Sequence, residues 1–188
     1  MSMKKIVLLC CAVMTFAIHQ EVDACVGRIL TIGISKSPNE LILAEIVSQL
    51  VSERTGSNVK IVRFNSQKDM YSAVKKGEVS LVIENLDRAS EALARIHEKP
   101  SRTLYDVVKK DYRKNYNLVW FEPFGESQFY SPVVAIDVLE ILPALPKLVG
   151  KLAGILNEDT YLKLLKSAKS EVGARDAAKN FLKSRRLI

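Results

Sequence analysis

Between residues 29 and 83 the chain runs strand, helix, strand, helix, strand with little spare between them, and no other stretch narrows the fold as far. Ile29 to Ile34 is a short β-branched apolar run of the kind that forms a buried strand. Ser37-Pro38-Asn39-Glu40 then opens a helix. Ser37 is placed to cap it, Pro38 carries the φ of a first helical residue, and Glu40 stands where a capping box reaches back. The helix is expected to run to about Arg54, with Leu43, Ile46, Val47, Leu50 and Val51 on one buried face and Gly56 ending it. Val59 to Phe64 reads as a second strand. Gln67 to Lys76 reads as a second helix that buries Met70, Ala73 and Val74 and stops at Gly77. Val79 to Ile83 is a third strand, almost wholly apolar as central parallel strands are. Two consecutive β-α-β units require a parallel sheet with right-handed crossovers.

The remainder is mostly helical. Asp87 to Glu98 and Arg102 to Tyr116 carry helical spacing and are parted by Pro100. Leu118 to Phe121 is a short strand closed by Pro123 and Gly125, and Pro132 to Ile136 offers one more. Apolar residues then recur at helical spacing in three groups: Leu145, Leu148, Val149 and Leu152; Tyr161, Leu164, Leu165 and Ala168; and, from about Arg175 to Lys183, Ala178, Phe181 and Leu182. The expected fold is α/β: one domain, residues 25–188, with a mostly parallel sheet flanked by helices and a helical C-terminal region.

Residues 1–24 have the plan of an export signal. Lys4-Lys5 precede the apolar run Ile6 to Ile18, and Val22-Asp23-Ala24 offers a cleavage point. The run is too short for an ordinary transmembrane helix. Cys10 and Cys11 fall inside it, so the mature chain keeps Cys25 and has no internal disulfide. Cys25 either takes a lipid anchor or is left by ordinary cleavage as a terminal thiol. The expected location is outside the cytoplasm, periplasmic or anchored to the outer face of a membrane.

Enzyme chemistry lacks the residues. His97 is the one histidine after the leader, no Ser-His-Asp or Cys-His set can be assembled, and no Gly-rich phosphate loop ends in Lys-Ser or Lys-Thr. Metal-ligand spacing is absent, so neither a metal nor another cofactor is expected. Lys and Arg number 28 against 21 acidic residues, but the excess lies in scattered pairs such as Lys75-Lys76 and Arg185-Arg186. Without a basic stripe interleaved with aromatics, nucleic acid is not an expected partner.

Three places offer binding chemistry. Ligands of open parallel sheets sit beyond the carboxyl ends of the strands. There the first helix presents free N–H groups near Lys36 and Asn39, suited to an anion or serving simply as a well-made helix start. At the end of the third strand Glu84 can face a cation, and Asn85 is equally a normal cap for the next helix. Trp120, Phe121, Phe124, Phe129 and Tyr130 crowd one stretch, where aromatic faces cage a quaternary ammonium or else fill the core.

The segment Leu30 to Glu45, with Ser35-Lys36-Ser37-Pro38-Asn39-Glu40-Leu41-Ile42-Leu43-Ala44-Glu45, resembles the opening of the glycine betaine/choline substrate-binding proteins of ABC importers. The resemblance continues through Thr55-Gly56, Tyr71 to Ile83, Leu104 to Pro123 and the tail from Leu145 to Ile188. It implies a type II periplasmic-binding-protein fold, a quaternary-ammonium or other small zwitterionic ligand, and an ABC permease as partner. Lys36, Asn39, Glu84, Asn85 and Tyr130 are the ligand residues this reading selects.

Members of that family have two lobes, the second inserted in mid-chain. Here Phe124-Gly125 passes to Tyr130-Ser131-Pro132 almost directly, so the chain resembles a single lobe. Where the family has Glu-Tyr-Thr-Gly-Thr, this chain has Glu84-Asn85-Leu86-Asp87-Arg88, and Arg88 would repel an ammonium group if it faced the site. The alternative is therefore an interaction module that no longer binds a small ligand. A homodimer rebuilding a two-lobed cleft stands between the two.

Overall fold

The computed structural model describes residues 29–95, 100–125 and 129–188. The leader, Cys25 and His97 lie outside them. Among the described residues five strands form one open sheet in the order β2-β1-β3-β5-β4. They are β1 (Ile29–Ile34), β2 (Asn58–Arg63), β3 (Leu81–Asn85), β4 (Leu118–Trp120) and β5 (Tyr130–Ala135). β1 pairs parallel with β2 and β3, while β5 runs antiparallel to both β3 and β4. Four strands thus point one way and the late strand β5 returns between two of them.

The helices are α1 (Pro38–Thr55), α2 (Gln67–Lys75), α3 (Leu86–Ala92), α4 (Arg102–Tyr116), α5 (Ile136–Ile141), α6 (Leu145–Gly150), α7 (Glu158–Ser167) and α8 (Glu171–Ser184). α1 starts and stops where its sequence signals lie: the Ser37 side chain accepts from the Asn39 amide, and Gly56 closes the helix in the left-handed region at φ 69°. Its burial exceeds the single face expected. Leu41, Ile42, Leu43, Ala44, Ile46, Val47, Leu50 and Val51 are all buried, because the sheet covers one side and α6, α7 and α8 cover the other.

The alternation of β3 and β5 divides the core. Leu81, Ile83 and Val134 join α1 and the C-terminal helices, whereas Val82 and Val133 meet Met70, Tyr105, Tyr112 and Trp120 from the side of α2 and α4. The result is a three-layer α/β/α lobe. Gly33 matters to it, since a Cβ there would stand 3.0 Å from Val79 Cγ1 and 3.3 Å from Met70 Cγ.

Several boundaries differ from expectation, and three have a clear local cause. β3 begins at Leu81, because the Val79 amide still bonds the Ala73 carbonyl that closes α2. α3 ends at Ala92, where the Leu93 and Arg95 amides fold back onto Ser90 and Ala94 takes φ 56°. α8 begins at Glu171, capped by Ser170 accepting from the Gly173 amide.

Between β4 and β5 the chain turns back on itself. The Phe121 amide donates to Pro132 O (2.9 Å), the Phe124 amide to Tyr130 O (3.0 Å), and the Leu156 amide to Phe124 O (2.9 Å). Gly125 lies so close to the Leu156 carbonyl that a Cβ would come within 2.2 Å of its oxygen. Across this junction β4 and β5 are bonded neighbours.

Candidate functional site

The carboxyl ends of β1 and β3, the first turns of α1 and α3, and the start of β5 meet at one end of the sheet. The ladder fixes the last of these, placing Tyr130 opposite Asn85 and Ser131 opposite Glu84. α1 brings Asn39 alongside, with its Nδ2 3.5 Å from the Tyr130 hydroxyl. Tyr130 is half-buried and Lys36 is exposed in the loop before α1.

Glu84 presents no surface. It is fully buried, accepts from the Tyr71 hydroxyl through Oε2, and through Oε1 accepts from the Asn85 amide (2.9 Å) and Arg88 Nε (2.5 Å). Burial raises its pKa above the ordinary carboxylate value, against the opposing pull of Arg88, Tyr71 and the Asn85 amide. Tyr71 is itself pushed up, first by burial and then by the Glu84 charge, so its phenol keeps its proton and donates. The Tyr112 hydroxyl lies 3.2 Å from that of Tyr71 behind the carboxylate.

Asn85 serves as the cap of α3, its Oδ1 accepting from the Asp87 (2.9 Å) and Arg88 (3.4 Å) amides. Glu40 departs from the expected capping box. Its carboxylate reaches past Ser37 to the Ser35 amide (2.6 Å) and hydroxyl (2.8 Å), and its Oε1 also accepts from Arg88 Nη1 (2.6 Å). Arg88 therefore spans both acids. Burial alone would lower its pKa; Glu84 and Glu40 outweigh that and hold the guanidinium charged.

Sequence reasoning placed Tyr161 only on an apolar helix face. In the fold its hydroxyl is buried without a hydrogen-bond partner among the described residues. Burial raises its pKa, and the fields of Tyr130, Glu158 and Glu40 add to the rise. Its apolar neighbours in sequence disguise it, and no local signal separates it from a core tyrosine. Tyr71 and Ser35 were missed for the same reason: each matters through a partner on another element.

The arrangement supplies hydrogen bonds, an aromatic face and a helix N-terminus, which are means of holding a small polar molecule. The described residues contain neither histidine nor cysteine, and no group of three or more acidic residues among them is placed to hold a metal ion. No helix among them is long and apolar enough to cross a membrane.

Residues 29–141 match the family described as the substrate binding domain of the ABC-type glycine betaine transport system. No curated protein matches the chain. Among solved structures, a glycine betaine/carnitine/choline ABC transporter protein aligns with TM-score 0.74 and 11% identity, over 86% of this chain and 99% of that one. Apo YehZ from Escherichia coli aligns with TM-score 0.71 and 12% identity, over 86% and 100%. Lactococcal OpuAC, closed on glycine betaine, gives TM-score 0.50 and 10% identity over 85% and 97%. At these identities the likeness is one of fold: one open sheet flanked by helices, in a chain the size of a single lobe.

Proposed function

The chain belongs to the family of substrate-binding domains of ABC-type glycine betaine transport systems, and from that premise we propose that it is the extracytoplasmic binding component of an importer for glycine betaine- or choline-type osmoprotectants. The observation that carries the ligand reading is the polar surface at the first turn of α1, where the Asn39 side chain meets the Tyr130 hydroxyl. A zwitterion suits it. The Tyr130 ring offers an aromatic face to a trimethylammonium group, and the α1 N-terminus, with Lys36 and Asn39 beside it, favours a carboxylate. In this reading residues 1–24 are the export signal, Cys25 is the anchoring position, and the permease is the membrane partner. Binding and hand-over, rather than conversion, is the chemistry these residues support.

The test is isothermal titration of the full chain with glycine betaine, choline, carnitine and proline betaine. Saturable heat with one of them, weakened at least tenfold in Tyr130→Ala, is the expected result. No heat into the millimolar range sinks ligand delivery.

One observation favours a second reading. Arg88 already occupies Glu84 and Glu40, and a single lobe covers only one side of a small molecule, whereas ligand pockets normally bury most of it. On this reading the strand ends meet a protein, either another subunit or a second copy that restores a two-sided cleft. A concentration-dependent dimer by light scattering that alone titrates with ligand would single out the second copy.

A further inference from the structure

Glu84 and Glu40 are both side chains that water scarcely reaches, with 0% and 1% exposed, and one guanidinium serves the two. Each nitrogen of Arg88 is committed: Nε to Glu84 (2.5 Å), Nη1 to Glu40 (2.6 Å) and Nη2 to the Ile83 carbonyl (3.1 Å). We propose that Arg88 is a tethered cation filling a subsite that the sheet end builds independently of it, and that cutting the side chain away opens a site for a free guanidinium or small alkylammonium ion. This goes beyond ligand delivery and stands whether or not a betaine binds.

Three features make the subsite belong to the fold rather than to Arg88. The carboxylates are oriented by other groups: Glu84 by the Tyr71 hydroxyl and the Asn85 amide, Glu40 by the amide and hydroxyl of Ser35. Those bonds persist without the guanidinium. The helix carrying Arg88 is held by the Asn85 cap and by buried Leu86 and Ala89, so it stays in place when the side chain is shortened. An approach from solvent also exists. The Arg88 side chain is 23% exposed and borders a cavity of about 120 Å³ lined by Ser35, Phe64, Gln67 and Met70 among others.

The charge balance gives the ligand class. Two buried carboxylates against one guanidinium leave no demand for an anion, and removing Arg88 leaves two uncompensated acids where burial is most costly. A planar guanidinium matches the positions Nε and Nη1 now fill; a compact alkylammonium matches the charge without the fork. In the native chain Arg88 is thus a specificity-determining residue. It keeps free cations off Glu40 and Glu84, so a ligand at the strand ends is met by Asn39 and Tyr130.

The experiment is thermal unfolding of full-length Arg88→Ala with guanidinium, methylguanidinium or tetramethylammonium chloride at low millimolar concentration, using sodium chloride as the ionic-strength control. A ligand that binds only the folded state raises Tm, here by about 3 °C or more in the variant and not in the native chain. The double variant Glu84→Gln/Arg88→Ala should lose that rise. If Arg88→Ala is unfolded in plain buffer, recovery of its native circular dichroism on adding guanidinium supports the proposal, and failure to recover overturns it. A folded variant whose Tm ignores all three cations overturns it, as does an equal response from the double variant.

Discussion

Asn39 and Tyr130 stand 91 residues apart in the chain and meet across the end of the sheet, the amide of one 3.5 Å from the hydroxyl of the other. The contact joins the first turn of α1 to the first residue of β5 and depends on the antiparallel register that sets Tyr130 opposite Asn85. At that length the bond is weak, so Tyr130 matters more for its ring than for its hydroxyl. Tyr130→Phe is expected to keep ligand affinity within about threefold, and Tyr130→Ala to lose tenfold or more, since a cation over an aromatic face gains about 0.5–2 kcal/mol. Titration calorimetry on the two variants checks this. Equal losses would mean that the hydroxyl carries the contact.

The local elements were legible because each is written in adjacent residues. Ser37-Pro38 and Gly56 bracket α1, the apolar run of β1 has no alternative use, and Pro100 precedes the start of α4. β5 was legible as a strand, but its apolar pattern by itself says nothing of direction or neighbour. Arg88 shows the same limit more sharply. Its position beside Glu84 is local, but its bond to Glu40 crosses 48 residues and exists only because β1 and β3 are adjacent. Tyr161 repeats the lesson, since helical spacing that marks it as core cannot reveal that its hydroxyl has no hydrogen-bond partner among the described residues.

Glu45 carries a pH signature. It lies in the middle of α1, almost wholly buried, with Arg175 at 3.8 Å and largely in solvent. Burial raises its pKa above the ordinary 4.5, and Arg175 and Gln49 only partly offset that. A raised carboxylate binds its proton more readily folded than unfolded, so its contribution to stability falls as pH rises through that interval. Glu45→Gln removes the buried charge. The variant should match the native chain at acid pH and exceed it at pH 7, with Tm higher by about 2–4 °C, the equivalent of about 1 kcal/mol in a chain this size. A native chain more stable than the variant at pH 7 would mean that Arg175 outweighs burial.

Gly125 fixes the junction between β4 and β5. Alanine there drives its methyl against the Leu156 carbonyl, a backbone atom that is itself held because the Leu156 amide bonds Phe124 O. Relief requires moving one of two bonded segments, and overpacking of this kind costs about 1–3 kcal/mol. Gly125→Ala should lower Tm by about 4–8 °C at the middle of that range. Gly150→Ala, whose Cβ meets nothing within 4 Å, is the control expected not to lower Tm.

Glu40 ties three elements together: its own helix, the end of β1 through Ser35, and α3 through Arg88. Glu40→Ala strips the acceptor from the Ser35 amide and hydroxyl and leaves Arg88 with Glu84 and the Ile83 carbonyl. Breaking one side of a buried ion pair costs about 3–5 kcal/mol, because the remaining groups stay desolvated without compensation. Glu40→Gln keeps an oxygen for Ser35 and loses only the charge, so it should be damaged about half as much. Denaturant unfolding of the two variants reads the difference directly. A loss below about 1 kcal/mol in Glu40→Ala would place the pair with exposed salt bridges, whose partners water can replace.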